Sequence, residues 1–284
     1  MIKSYKTRRM VGLGVVYAIL TILSIIWVLP LVWIVMTSFS GEDAAFIDHV
    51  IPSKWTFHNY VQLFTDKAIF NYPRAFMNTL IIAIFSCIIS TLSVLMVAYT
   101  FSRLRFKARK AYMNVAMILG MFPGFMTMIA IYYILKTIGL SQSIVGLIVV
   151  YSAGASLGFF ISKGFFDTVP KALDEAATID GATKNQIFWQ IILPMAKPIV
   201  VYTVITSFIS PWTDFIMARM LLRDAIDQYT VALVLWNMTD KEKVDQFFYR
   251  FCAGSVIVAI PITAVFLKMQ KFYVEGITGG AVKG

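Results

Sequence analysis

Residues 174–194 read DEAATIDGATKNQIFWQIILP, a charged stretch broken by a glycine and closed by Leu-Pro, set between two apolar runs. Its surroundings decide how it can fold. The chain has 284 residues, of which 59% are hydrophobic and 14% charged, and its mean hydropathy is +0.76. Soluble domains carry about a quarter charged residues, so this composition is that of an integral membrane protein. Uncharged runs cover 11–39, 75–102, 111–135, 137–162, 198–213 and 251–267. A bilayer core takes about 20 apolar residues as helix, and only helices or closed barrels satisfy their backbone there. These runs lack the alternation of barrel strands. The expected class is all-α integral membrane with six transmembrane helices. The run at 198–213 is the shortest, at 16 residues, and is expected to draw on its flanks, leaving Asp214 near a membrane surface.

The first run is 29 residues long and follows Lys3, Lys6, Arg8 and Arg9. It lacks the short apolar core and small-residue cleavage site of a secretion signal, and is read as a retained span. With the N-terminus inside, interior segments hold sixteen lysines and arginines and exterior loops nine. That satisfies the positive-inside rule and puts both ends in the cytoplasm. The net charge of +10 then requires no nucleic acid, and the cluster from Arg103 to Lys110 reads as anchors beside anionic headgroups. Cys87 and Cys252 fall inside spans and read as small apolar core residues. His49 and His58 share the first exterior loop without a further ligand, so no metal site is expected. The loop reads as an ordered cap. The chain divides into 1–74, the first span and this loop, and a transmembrane core at 75–284.

The opening stretch therefore lies on the cytoplasmic side, between spans four and five. Pro170 suits a first helical turn, Asp174 and Glu175 sit early where the dipole favours anions, and Gly181 can end the helix in a left-handed turn. A short helix at about 170–181 is expected. On a 3.6-residue wheel Ala172, Leu173, Ala176, Ala177 and Ile179 share one arc, while Lys171, Asp174, Glu175 and Thr178 take the other. Two accounts compete for the dry arc: burial in the headgroup layer, or close docking on another protein, which small alanines permit.

Glu175-Ala176-Ala177, three residues, Gly181, nine residues, then Ile191 with Leu193-Pro194 resembles the coupling-helix motif of permease subunits in bacterial ABC importers that use a binding protein. LLRDAIDQYTVALVL (221–235), AIPITAVFL (259–267) and VEGITGGAVKG (274–284) are similar to the smaller permease of the maltose and malto-oligosaccharide branch. The likeness covers most of the chain from about Ala75. It implies the fold of a type I importer, with the short helix as a joint seated in a groove of a cytoplasmic ATPase. Glu175 would pair with a base of that ATPase, Ala176 and Ala177 would seat the joint, Gly181 would hold its turn, and Ile191, Leu193 and Pro194 would lead into span five. It implies as partners a second related permease in a heterodimer, two ATPase subunits carrying ATP and Mg, and an extracytoplasmic sugar-binding protein. The chain itself would bind no cofactor and catalyse no covalent chemistry. Its place would be the bacterial cytoplasmic (inner) membrane, as a multi-pass chain in contact with the lipid bilayer.

Other features fit that division of labour. No G-x-x-x-x-G-K-[ST] phosphate loop occurs, so energy must enter through a partner. The spans hold no buried acidic or histidine relay of an ion-coupled carrier, and no paired broken helices are evident. No H-E-x-x-H or comparable catalytic set appears. Asp214, Trp212 and Tyr132 are candidates for the solute pathway, among scattered polar and aromatic residues such as Tyr151, Tyr202 and Thr203. In the exterior loop 219–246, Asp224, Asp227 and Tyr229 are candidates for contact with the binding protein, by resemblance. The tail GITGGAVKG is a frayed end by default, and by resemblance reaches the ATPase interface.

Overall fold

The computed structural model describes residues 5–42, 51–155 and 158–281. His49, Lys3 and Lys283 lie outside them. Among the described residues the chain is helical, with one isolated antiparallel bridge between Ser40 and Trp55. Helices α1 (Tyr5–Ser38), α2 (His58–Thr65), α3 (Tyr72–Arg103), α4 (Arg109–Gly120), α5 (Gly124–Thr137), α6 (Ile144–Ala155), α7 (Phe159–Thr168) and α8 (Ala172–Ile179) follow in order. They are succeeded by α9 (Lys184–Met195), α10 (Lys197–Thr213), α11 (Ile216–Leu222), α12 (Val231–Met238) and α13 (Val244–Ala281).

Four helical stretches are long and apolar enough to cross a membrane unbroken: Arg9–Ser38, Tyr72–Arg103, Ile144–Thr168 and Val244–Phe272. The other two expected spans are bent. The α4–α5 pair turns by 103° and the α9–α10 pair by 84°, giving up to six if each pair counts as one span. Each half of the first pair is too short alone, since 12 residues at 1.5 Å rise reach about 18 Å against a core of about 30 Å. Pro123 cannot donate a backbone hydrogen bond and disfavours helical geometry at Phe122. Between α9 and α10 the chain kinks at Ala196 (φ −96°, ψ 24°), with Pro198 in the first turn of α10. The fourth run also shifts: Gly139 and Gln142 take positive φ, so the helix begins at Ile144 rather than Thr137 and continues past Ser162 to Thr168.

The chain forms two compact units. One joins the residues up to Ile69 with Asn237–Ile257; the other comprises Phe70–Trp236 and the chain from Val258. The first ends at Ile69, leaving 70–74 to the other unit, and takes in Asn237–Ile257. Within it, the apolar window of α1 has no buried residues, as suits a helix whose solvent is lipid. Beyond α1 the chain is pinned by polar contacts. Asn59 Nδ2 donates to the carbonyls of Ser38 and Ser40 at 3.0 and 2.7 Å. Arg250 donates to Gln62 Oε1 at 2.9 Å and to Asp66 Oδ2 at 2.7 Å, and this guanidinium holds the Asp66 carboxyl below its ordinary pKa. These bonds hold α2 and its flanks within the unit.

In the second unit α3 is the central post, packed against α10, α6 and α7. At its Arg103 end, Leu95, Ala98 and Tyr99 meet Phe166 of α7, Ala177 of α8 and Phe188 of α9 in one buried cluster. The backbone of α13 stays helical to Ala281, where the residues alone suggested fraying.

Candidate functional site

Helix α8 occupies the expected place, and its ends show why it is short. Val169 is extended (φ −74°, ψ 128°) and closes α7, as a residue before proline favours. Pro170 therefore precedes the helix and does not open it, and Lys171 is the N-cap. Asp174 and Glu175 lie in the first turn, where free backbone N–H groups favour negative charge. At the other end Gly181 takes φ +86°. Its N–H donates to Thr178 O at 3.1 Å while Ala182 N–H donates to Ala177 O at 2.9 Å, the paired bonds of a Schellman stop. Thr183 and Gln186 then cap each other to start α9.

The residues facing inward differ from the wheel expected from polarity. Asp174 and Ala177, three apart, face the chain's own interior. Asp174 Oδ2 lies 3.2 Å from Arg103 Nε, with side-chain exposures of 15% and 3%. A second Arg103 nitrogen donates to Val169 O at 2.8 Å, and Ser102 Oγ donates to Asp167 Oδ1 at 2.6 Å. The foot of α3 thus grips the segment that launches α8. An acid turns inward here because a buried guanidinium waits for it. Ala177 is 9% exposed and packs into this chain's core. The rest of the helix is outward: Ala172, Glu175, Ala176 and Thr178, with Leu173 at 37% exposure and Ile179 at 86%.

Ile191 lies in a wide π-helical turn, Ile187–Ile192, partly buried against the same cluster. Leu193 and Pro194 follow at the last turn before the kink at Ala196. Pro194 has no N–H to continue the ladder.

Within the membrane-spanning part of this unit lies a cavity of about 560 Å³ whose walls include Tyr151, Tyr202, Thr203, Thr206, Ser207 and Ser210 with Asp214. Tyr151 O–H donates to Asp214 Oδ2 at 3.0 Å, and Met217 N–H donates to Oδ1 at 3.0 Å. The positions 203, 206, 207 and 210 follow the i, i+3, i+4, i+7 spacing of one helix face. That stripe of hydroxyls was readable in the sequence; the Arg103–Asp174 pair, 71 positions apart, carried no local signal. Of the three pathway candidates, only Asp214 lines this cavity. Trp212 is 3% exposed and lies edge-on to Phe76, with centroids 5.2 Å apart. The Tyr132 hydroxyl accepts from Arg223 at 2.9 Å, which ties it to the loop after α11.

That loop is internally braced. Tyr229 is buried; its hydroxyl donates to Arg223 O and accepts from Arg219, both at 2.8 Å. Asp227 pairs with Arg74 at 3.0 Å, and Asn78 Nδ2 donates to Asp227 O at 3.0 Å and Tyr229 O at 3.1 Å. Arg223 takes φ 46°, presenting Asp224 and Ile226 as the exposed tip. Tyr229 shapes the loop; Asp224 is what it displays.

Comparison with known proteins follows this geometry. The family described as "Binding-protein-dependent transport system inner membrane component" matches residues 89–273, a segment that contains α8, its stop, and the hydroxyl wall. The chain is 34% identical over 285 residues to the galactooligosaccharides transport system permease protein GanQ of Bacillus subtilis (strain 168), covering 100% of each. It is 32% identical over 279 residues to the maltodextrin transport system permease protein MdxG of the same organism, covering 98% of this chain and 99% of the relative. A solved bacterial ABC transporter, involved in import of the acidic polysaccharide alginate, has a chain that aligns with a TM-score of 0.78. At 22% identity, over 96% of this chain and 99% of that one, the likeness is one of fold. With the family match spanning more than half of its length, the chain belongs to the inner membrane components of binding-protein-dependent transport systems, the permease subunits of ABC importers.

Proposed function

We propose that this chain forms half of the path by which an oligosaccharide enters the cell, moved by alternating access and powered by separate ATPase subunits. The observation that carries the reading is the outward face of α8. A carboxylate and small or bare apolar side chains are displayed there on a helix locked at both ends and clamped to α3. Closure of two ATPase subunits holding ATP and Mg displaces α8. The Arg103 grip passes that displacement to α3, and α3 passes it to α10, α6 and α7, whose residues wall the cavity. A second related permease completes the path. An extracytoplasmic sugar-binding protein delivers the solute to the loop whose tip is Asp224. The lysine and arginine distribution supports cytoplasmic termini at both ends. Relatives that carry galactooligosaccharides and maltodextrin support a carbohydrate cargo.

The test is reconstitution of the full assembly in vesicles with the binding protein. Ile179→Asp and Glu175→Ala are expected to lower both sugar import and sugar-stimulated ATP turnover by on the order of tenfold, as loss of an interface anchor does. Membrane insertion should be unaffected, because neither side chain is buried. Import at the wild-type rate in both variants would remove the support for this reading.

A further inference from the structure

Resting on the reading of this chain as a solute permease, we infer that the Asp214–Tyr151 wall is a solute-binding surface that admits neutral, hydroxyl-rich solutes and rejects anionic ones. A helix break and a helix end border the same cavity: Gly120, Phe122 and Gly124 at the α4–α5 bend, and Asp214, the extended C-cap of α10. Irregular backbone inside a span is tolerated where it is buried in protein or lines a wet cavity, and the α4–α5 bend meets this cavity, which suits the space to water or solute. Among the described residues lining it, Asp214 is the one carboxyl group, and no lysine, arginine or histidine joins it.

The hydrogen-bonding sense of the wall is set by the helix itself. Thr203 Oγ1 donates to Ile199 O at 2.8 Å and Thr206 Oγ1 to Tyr202 O at 2.9 Å. Their protons spent, these hydroxyls present lone pairs to the cavity. Asp214 Oδ2 accepts one hydrogen bond from the Tyr151 hydroxyl, and each carboxylate oxygen keeps further acceptor capacity. Thr203, Thr206 and Asp214 therefore offer acceptors, which match the hydroxyl donors of a neutral sugar, while the hydroxyls of Tyr202, Ser207 and Ser210 on the same wall can donate to a sugar's oxygens. A solute carboxylate would bring a charge of the same sign as Asp214 into a medium less polar than water.

The experiment compares binding of a neutral oligosaccharide with that of the same oligosaccharide bearing one carboxylate, by equilibrium dialysis against the full assembly in nanodiscs without binding protein. Wild type is expected to favour the neutral form by about tenfold or more, the scale of one like-charge contact. Asp214→Asn keeps an oxygen to accept from Met217 N–H and removes the charge, so the ratio should fall to near unity. Tyr151→Phe keeps the charge and should keep the ratio while weakening both ligands. An unchanged ratio in Asp214→Asn, or no preference in wild type, would overturn the inference. Import measured on the same assembly with ATP and binding protein separates the two claims. Wild type that imports but whose ratio ignores Asp214 defeats the inference alone, whereas wild type that imports no oligosaccharide defeats the reading beneath it.

Discussion

Replacing Arg103 with alanine is expected to detach α8 from the post that holds it. The guanidinium is almost wholly buried, and it serves Asp174 on α8 and the carbonyl of Val169 just before it. Removing one member of a buried pair leaves the other charge desolvated and alone, which costs roughly 3–5 kcal/mol. The melting temperature of the assembled transporter should drop, and import should fall by more than tenfold. Replacing both partners by apolar residues of similar size, Arg103→Met with Asp174→Leu, leaves no orphan charge. Stability should then return close to wild type, since such swaps are often neutral. A single Arg103→Ala variant that melts and transports like wild type would show that the pair is incidental.

The second large effect is expected at Gly181. A Cβ added there meets no atom within 4 Å, so crowding cannot be the cause of any defect. The constraint lies in the backbone, at φ +86°. A left-handed conformation costs an L-residue roughly 1–2 kcal/mol, and a β-branched side chain is the least tolerant of it. Gly181→Val should unwind the Schellman stop and let α8 run on or fray, reducing coupled import by about 5- to 30-fold, the weight of that energy in a population. Gly181→Asn should retain most activity, because asparagine enters this region readily. Measuring import per ATP hydrolysed in the two variants checks this: equal behaviour of Val and Asn would mean that the turn does not matter.

Long-range order in this molecule was legible where it depends on one-dimensional patterns. Hydropathy located the unbroken spans because transfer into lipid is additive along a helix. The Gly181 stop and the acidic first turn of α8 were readable because capping is local chemistry. The bends at Pro123 and Ala196 were not, since an apolar run looks the same straight or folded. Polarity sorted Asp174 outward and Ala177 into a docking face, yet the structure turns both inward. A wheel cannot contain Arg103, and without that partner an inward acid would be unfavourable. Trp212 and Tyr132 drew attention as aromatics, but one fills a core and the other braces a loop. Asp214 met Tyr151 only through folding, across 63 positions.

Site-directed crosslinking from α8 tests the central claim, that force from a soluble ATPase enters through this helix. Cys87 and Cys252 are buried, so single cysteines introduced at Ala176, Ala177 and Ile179 report on their own surroundings. Ala176→Cys and Ile179→Cys should crosslink to an ATPase subunit, with a yield that changes on adding ATP, while Ala177→Cys stays unreactive within the chain's own core. Crosslinks from positions 176 and 179 to lipid alone, with none to the ATPase in any nucleotide state, would contradict the account.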